Sequence, residues 1–265
     1  MNTPAIELID THAHLDGDDF TGDIKQVIER AHEAGVSTII NIGATDGFLG
    51  AERSLKLTDT YKNIWCSVGI HPHDAQLPSD VIRLRELANH PKVRAIGETG
   101  LDFFKEWSPK DDQIRWFRLQ IELAHERKLP LIIHSREAGR ECLSILKEME
   151  ADKVGGVFHC YAEDAVFAEQ LREINFLVSF PGILTFPKAV NIHEAAREIP
   201  LEQIMLETDA PYLAPAPFRG KRCESAYVRH TAERLSYLRN ESLETIARVT
   251  TENARRFYRL NEDNA

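Results

Sequence analysis

The sequence predicts a single α/β domain built as a parallel (β/α)8 barrel, with its functional site on the rim where the strands end. Three observations carry that expectation. Short runs rich in β-branched residues alternate with amphipathic stretches of helical period along the 265 residues. Single strands alternating with single helices imply parallel pairing through right-handed crossovers, and eight such units close into a TIM barrel more naturally than into an open sheet. Residues of metal-ligand type fall at the end of one strand after another, which is where such a barrel keeps its active site. The length suits one barrel, so residues 1–265 are read as one domain.

The elements follow in order. The first run is AIELID (5–10), with Asp10, His12 and His14 at its end. GDIKQVIERAHEAG then sets Ile24, Val27, Ile28 and Ala31 on one helical face and stops at Gly35. VSTIINI (36–42) is the second strand and IWCSVGI (64–70) the third, followed by His71 and His73. VRAIG (93–97) is the fourth, closed by Glu98. DDQIRWFRLQIELAHERKLP is a helix with basic residues in its last turn and a proline beyond. The remaining strands are LPLIIH (129–134), VGGVFH (154–159), FLVSF (176–180) and QIMLET (203–208). They bring His134, His159, Glu207 and Asp209 to their ends. Residues 226–260 read as two further helices outside the barrel.

Composition narrows the class. Charged residues make up 28% of the chain and the longest apolar runs are far too short to span a bilayer. The N-terminus has no basic stretch, long apolar core or small-residue cleavage site, so no signal peptide is expected. Cys66, Cys142, Cys160 and Cys223 lack Cys-x-x-Cys spacing, which fits a reducing, cytoplasmic setting better than a disulfide framework or a thiolate zinc site. A net charge of −10 argues against a broad electrostatic grip on duplex DNA, and leaves room for a local positive site made by bound cations.

Strand parity sharpens the ligand set. Side chains two apart share a face of an extended segment, so His12 and His14 continue the row of Leu8 and Asp10. Glu98 continues from Ile96, His134 from Ile132, and Asp209 from Glu207. Each alone has an ordinary structural reading as a core histidine, a salt-bridged turn or a cap. Together they converge on one rim. Imidazoles mixed with carboxylates suit zinc, manganese or iron better than calcium, and the lack of a thiolate set points to a catalytic site.

These segments resemble the TatD family of metal-dependent deoxyribonucleases in the amidohydrolase superfamily. The matching stretches are DTHAHLD (10–16), VGIHPHDA (68–75), AIGETGLDF (95–103), LPLIIHSR (129–136), GVFHCY (156–161), FLVSFPGILTF (176–186) and LETDAPYLAP (206–215), followed by RGK at 219–221. The resemblance implies two divalent ions, magnesium, manganese or zinc. His12, His14 and Asp209 would hold one, His134 and His159 the other, with Glu98 bridging. It also implies DNA as substrate and 3′→5′ exonuclease activity, with no membrane or obligate protein partner. After RGK the family commonly continues with Asn or Gln and then Pro, whereas this chain reads Arg222-Cys223-Glu224-Ser225-Ala226.

The expected chemistry is metal-assisted phosphodiester hydrolysis, with Asp209 orienting and deprotonating the attacking water and Glu98 setting the ion spacing. Asp10 and Glu207 are either supports that fix imidazole tautomers or buried carboxylates paired with a basic neighbour such as Arg94. Arg136, Arg219 and Lys221 are candidate phosphate contacts or solvated loop cations. His71 and His73 sit at the same rim, His73 as a candidate substrate contact and His71 equally as a structural hydrogen-bonding residue. Phe103 and Phe104 are candidate base-stacking rings or loop packing. The alternative is a hydrolase of a small-molecule ester, amide or lactone, since the same centre polarises a carbonyl.

Overall fold

A computed structural model of the chain describes residues 6–77 and 80–260. Its eight strands are β1 (Leu8–Ala13), β2 (Val36–Gly43), β3 (Ile64–Val68), β4 (Val93–Asp102), β5 (Leu131–Arg136), β6 (Gly156–Phe158), β7 (Phe176–Phe180) and β8 (Ile204–Leu206). They form one sheet in sequence order, and parallel pairing is explicit for β3–β4, β4–β5, β5–β6 and β7–β8. A parallel bridge from Ala13 to Ala210 brings the first strand beside the chain leaving the last. The fold is a (β/α)8 barrel, as expected. All eight predicted strands are present, although Ala5, the first residue of the first predicted run, lies outside the described residues.

The helices alternating with these strands are α1 (Ile24–Glu33), α2 (Phe48–Thr60), α3 (Val81–Leu87), α4 (Lys110–Arg127), α5 (Gly139–Glu148), α6 (Ala165–Arg172) and α7 (Val190–Glu198). The predicted tail helices are α8 (Val228–Arg239) and α9 (Leu243–Tyr258). In α1 the stripe Val27, Ile28 and Ala31 is buried, as its 3.6-residue spacing requires. Gly35 then turns the chain at φ +92, where a Cβ would lie 2.4 Å from the carbonyl oxygen of Ile6. Among the described residues, no helix is long and apolar enough to cross a membrane.

The chain divides into two compact units. One comprises Met1–Ile40, Cys160–Glu169 and Val178–Ala265. In it α9, capped by Ser242, anchors β1 and β8 from outside: Tyr258 is buried and donates to the carbonyl of Thr11, and Asn253 donates to the carbonyls of Leu201 and Ile204. The other comprises Asn41–His159 and Gln170–Leu177. Its centre is β4 and β5, where Ala95, Ile96, Leu101, Leu131, Ile132 and Ile133 are all fully buried. Burying one such aliphatic side chain is worth about 1.5–3 kcal/mol.

One boundary departs from the sequence reading in a way that matters for the site. The fourth strand does not stop before Glu98 but runs on to Asp102. Its pairing with β5 is irregular between Ile96 and Thr99 and then resumes, with Gly100 opposite His134 and Asp102 opposite Arg136. Gly100 makes this possible: a Cβ there would lie 2.1 Å from the carbonyl oxygen of His134, and its φ is +128. A Gly-containing acidic stretch reads as a turn by composition, and the ladder of β5 turns it into strand.

Candidate metal centre

In the first unit, His12, His14 and Asp209 form a compact donor group. The Nε2 atoms of the two histidines are 3.3 Å apart, and Asp209 Oδ1 lies 3.7 Å from His12 and 3.5 Å from His14. Three donors each about 2.0–2.1 Å from a common ion stand roughly 3.3–3.6 Å apart at tetrahedral to trigonal angles. The triangle has the size of a metal site. The alternation of β1 puts His12 and His14 on one side, and the backbone N–H of Asp209 bonds to the His12 carbonyl at 2.9 Å. Asp209 itself sits in the left-handed region, at φ 57. Strained backbone of this kind concentrates at functional positions.

Asp10 fixes this arrangement. Its Oδ1 accepts the backbone N–H of Thr208 at 2.9 Å and its Oδ2 the Thr208 hydroxyl at 2.7 Å. It therefore ties β1 to the segment carrying Asp209 through amide and hydroxyl groups, rather than holding an imidazole tautomer. Burial pushes its carboxyl up to about 7 against the opposing hydrogen bonds from Thr208 and the backbone of His12. Glu207 has a similar duty, accepting the Cys160 N–H at 2.6 Å and the Ser179 hydroxyl at 2.5 Å.

In the second unit, Glu98 is the hub. Its Oε1 lies 2.6 Å from His159 Nε2, 2.9 Å from His134 Nδ1 and 3.4 Å from His71 Nε2. His159 Nε2 and His134 Nδ1 are 3.4 Å apart. Two of these distances are hydrogen-bond lengths, shorter than the spacing around an ion, so the donors of Glu98, His134 and His159 are gathered but closed up on one another. His71 has a different place. Its Nδ1 accepts the backbone N–H of His73 at 3.1 Å, so its proton sits on Nε2 and points at Glu98. Burial pulls His71 down to about 4, which keeps the ring neutral, and its Nε2 faces Glu98 as a hydrogen-bond donor.

Asp102 is the residue the sequence reading missed. Its Oδ2 accepts from His73 Nε2 at 2.7 Å and lies 3.0 Å from His134 Nε2, and its Oδ1 takes the backbone N–H groups of Phe104 and Lys105 at 3.0 and 2.8 Å. His134 thus presents Nδ1 toward Glu98 and His159 while Asp102 grips the other nitrogen, an arrangement by which carboxylates orient metal-ligating imidazoles. Burial alone would lower the His134 pKa, but hydrogen bonds to Asp102 and Glu98 outweigh it and push it up to about 9. The same bonds hold Asp102 well below the usual carboxylate range although burial opposes them. A signal was present in the sequence: Glu98, Gly100 and Asp102 share parity, provided that the strand is taken beyond Glu98.

The weaker expectations place as follows. His73 partners Asp102 and stacks obliquely on Trp107. The Arg136 guanidinium lies 4.0 Å over the Phe104 ring, and that of Arg219 lies 4.5 Å over Phe186. Lys221 is exposed, 6.0 Å from the Phe218 ring. Phe103 is half-buried under Lys110. In the loop that departs from the family pattern, Arg222 bonds both carboxylate oxygens of Asp23 and also Glu224, which in turn holds Arg30. The unusual residues are thus an ionic clasp onto α1. All four cysteines are free thiols.

A (β/α)8 barrel carrying imidazole and carboxylate clusters of this kind defines a metal-dependent hydrolase. The chain matches the family model of TatD-related DNases over residues 9–259, and it belongs to that family. It is 43% identical to the metal-dependent hydrolase YabD of Bacillus subtilis over 256 residues, covering 96% of this chain and 100% of that protein. It is 33% identical to the 3′-5′ ssDNA/RNA exonuclease TatD of Rahnella, covering 93% and 96% of the two. The solved structure of YjjV, a TatD homologue from Escherichia coli K12, superposes with a TM-score of 0.90 at 28% identity, covering 96% of this chain and 98% of that one.

Proposed function

We propose that the chain hydrolyses phosphodiester bonds of single-stranded DNA, shortening it from the 3′ end, with two divalent ions. His12, His14 and Asp209 would hold one ion, and Glu98, His134 and His159 the other. The observation that carries this reading is the His12–His14–Asp209 triangle, sized for one ion, together with the gathering of Glu98, His134 and His159 donors within 3.4 Å of one another. Bound there, such ions lower the pKa of water and offset charge on the attacked phosphoryl group.

The chain's own groups supply the rest. Asp209 orients the attacking water and accepts its proton. His71 donates to Glu98 and keeps its carboxylate in place, and Asp102 keeps Nδ1 of His134 facing its ion. Arg136, Arg219 and Lys221 supply cationic contacts to phosphate oxygens. The exonuclease of Rahnella supports nucleic acid as substrate. The free thiols support a reducing compartment, and we propose the cytoplasm.

The net charge of −10 favours a second reading, hydrolysis of a small ester, amide or lactone. Incubating the Mg²⁺- or Mn²⁺-loaded protein with end-labelled single-stranded DNA separates the two. Shortening by the wild type but not by Glu98→Ala supports the nuclease. No shortening with any of several metals, alongside turnover of esters or amides, discards it. Asp209→Asn should fold, retain metal at the other triangle and lose turnover; near-normal rates would remove Asp209 from the chemistry.

A further inference from the structure

The loop between β4 and α4 exposes two large rings that the barrel does not need. Phe104 is 52% and Trp107 60% exposed. Neither is loose. Asp102 accepts the N–H groups of Phe104 and Lys105, and the Trp107 carbonyl accepts from the Gln76 side chain at 2.9 Å. Beside Trp107, the Ser108 hydroxyl donates to the His73 carbonyl at 2.7 Å. A backbone pinned in this way holds its rings in water by construction.

Each ring also carries a cation. Arg136 lies over Phe104, and Lys105 Nζ is 5.2 Å from the centre of Trp107. The ring of His73, 4.4 Å away, backs Trp107 and leads through its Nε2 to Asp102, the support of His134. The shelf is therefore continuous with the residues around Glu98. Whatever occupies it extends from the reacting group, offers a flat face and carries negative charge.

We propose that Phe104 and Trp107 form a stacking shelf for an unpaired base of single-stranded nucleic acid, with Lys105 and Arg136 meeting the phosphates beside it. The proposal rests on the phosphodiesterase reading and adds to it where the substrate is held and why it must be unpaired. Every base has a π-face, so such a shelf tolerates any sequence. A duplex hides those faces in its own stack, so the shelf selects single strands.

The test measures binding of the Mg²⁺-loaded enzyme to a fluorescein-labelled oligothymidylate whose phosphorothioate linkages resist cleavage, by anisotropy. Stacking on one side chain is worth about 1–3 kcal/mol, so Trp107→Ala and Phe104→Ala should each weaken binding by about fivefold or more. Trp107→Phe, which keeps a ring, should lose less than about threefold. An abasic oligomer of the same length should bind wild type and Trp107→Ala nearly alike. Equal affinity of the alanine variants for oligothymidylate, or no binding by the wild type, overturns the shelf. Cleavage of the unmodified strand is scored separately. Binding differences without cleavage would leave the shelf and remove the nuclease, whereas cleavage without binding differences would do the reverse.

Discussion

Asp102→Asn probes the support of the proposed metal centre without touching one of its proposed ligands. Asp102 is fully buried, and its Oδ2 takes two imidazole contacts, 2.7 Å from His73 and 3.0 Å from His134. An asparagine can keep its carbonyl toward the N–H groups of Phe104 and Lys105, so the loop should stay folded. Its amide N–H₂ then faces His134 Nε2, donor against donor. The imidazole relieves that clash by moving its proton to Nδ1, the nitrogen offered to the ion. Removing partners of this kind costs 10–100-fold in metal affinity, or about 1.4–2.7 kcal/mol. Calorimetric titration of metal into chelator-treated protein should show one class of sites weakened to that extent, with thermal unfolding nearly unchanged. Unchanged affinity at both sites would refute the assignment of Asp102 as the residue that orients His134.

Three other outcomes follow from the geometry. His134→Ala and His159→Ala should each lower bound metal by about one ion in elemental analysis, if the two share a site; unchanged stoichiometry would separate them. Gly100→Ala forces a Cβ to within 2.1 Å of the His134 carbonyl at φ +128, and should cost at least about 2 kcal/mol in urea unfolding. Glu224 is buried, which would raise its pKa, but Arg30 and Arg222 hold it below the model-peptide carboxylate range. Its stabilisation is thus present above about pH 4.3 and lost as pH falls through the lower folded value. Wild type should therefore be the more stable at about pH 6, and its advantage over Glu224→Gln should shrink toward about pH 3, a comparison of urea midpoints.

The barrel was legible because its signal is periodic and repeated: eight apolar runs separated by helical stripes leave little choice of topology. Which polar side chains would gather was legible for a related reason: strand parity says which ones share a face. Glu98 and His134 could be named from alternation alone. Asp102 could not, because the stretch containing Gly97 and Gly100 reads as a turn until a neighbouring strand supplies hydrogen bonds. The division of labour between His71 and His134 was equally hidden. Both are buried imidazoles near Glu98, and only the backbone N–H of His73 at Nδ1 of one, and a carboxylate at Nε2 of the other, tells them apart.

Net charge, read as a single number, counts against nucleic acid, but a sum over the whole surface does not say where its charges lie. Charges separated by more than about 8–10 Å across solvent are largely screened at physiological salt, so the acidic total of the whole surface is not what a strand feels at the rim. Many carboxylates are engaged with basic partners far from the donor clusters, such as Glu126 with Arg85, Glu148 with Arg118 and Glu52 with Arg83. Around the loop after β4, Lys105 and Arg136 each lie against an aromatic ring, whereas Lys110 pairs with Glu106 at 3.2 Å. On the proposed reading, Lys105 and Arg136 would meet one unpaired strand without the extended basic face that a duplex requires.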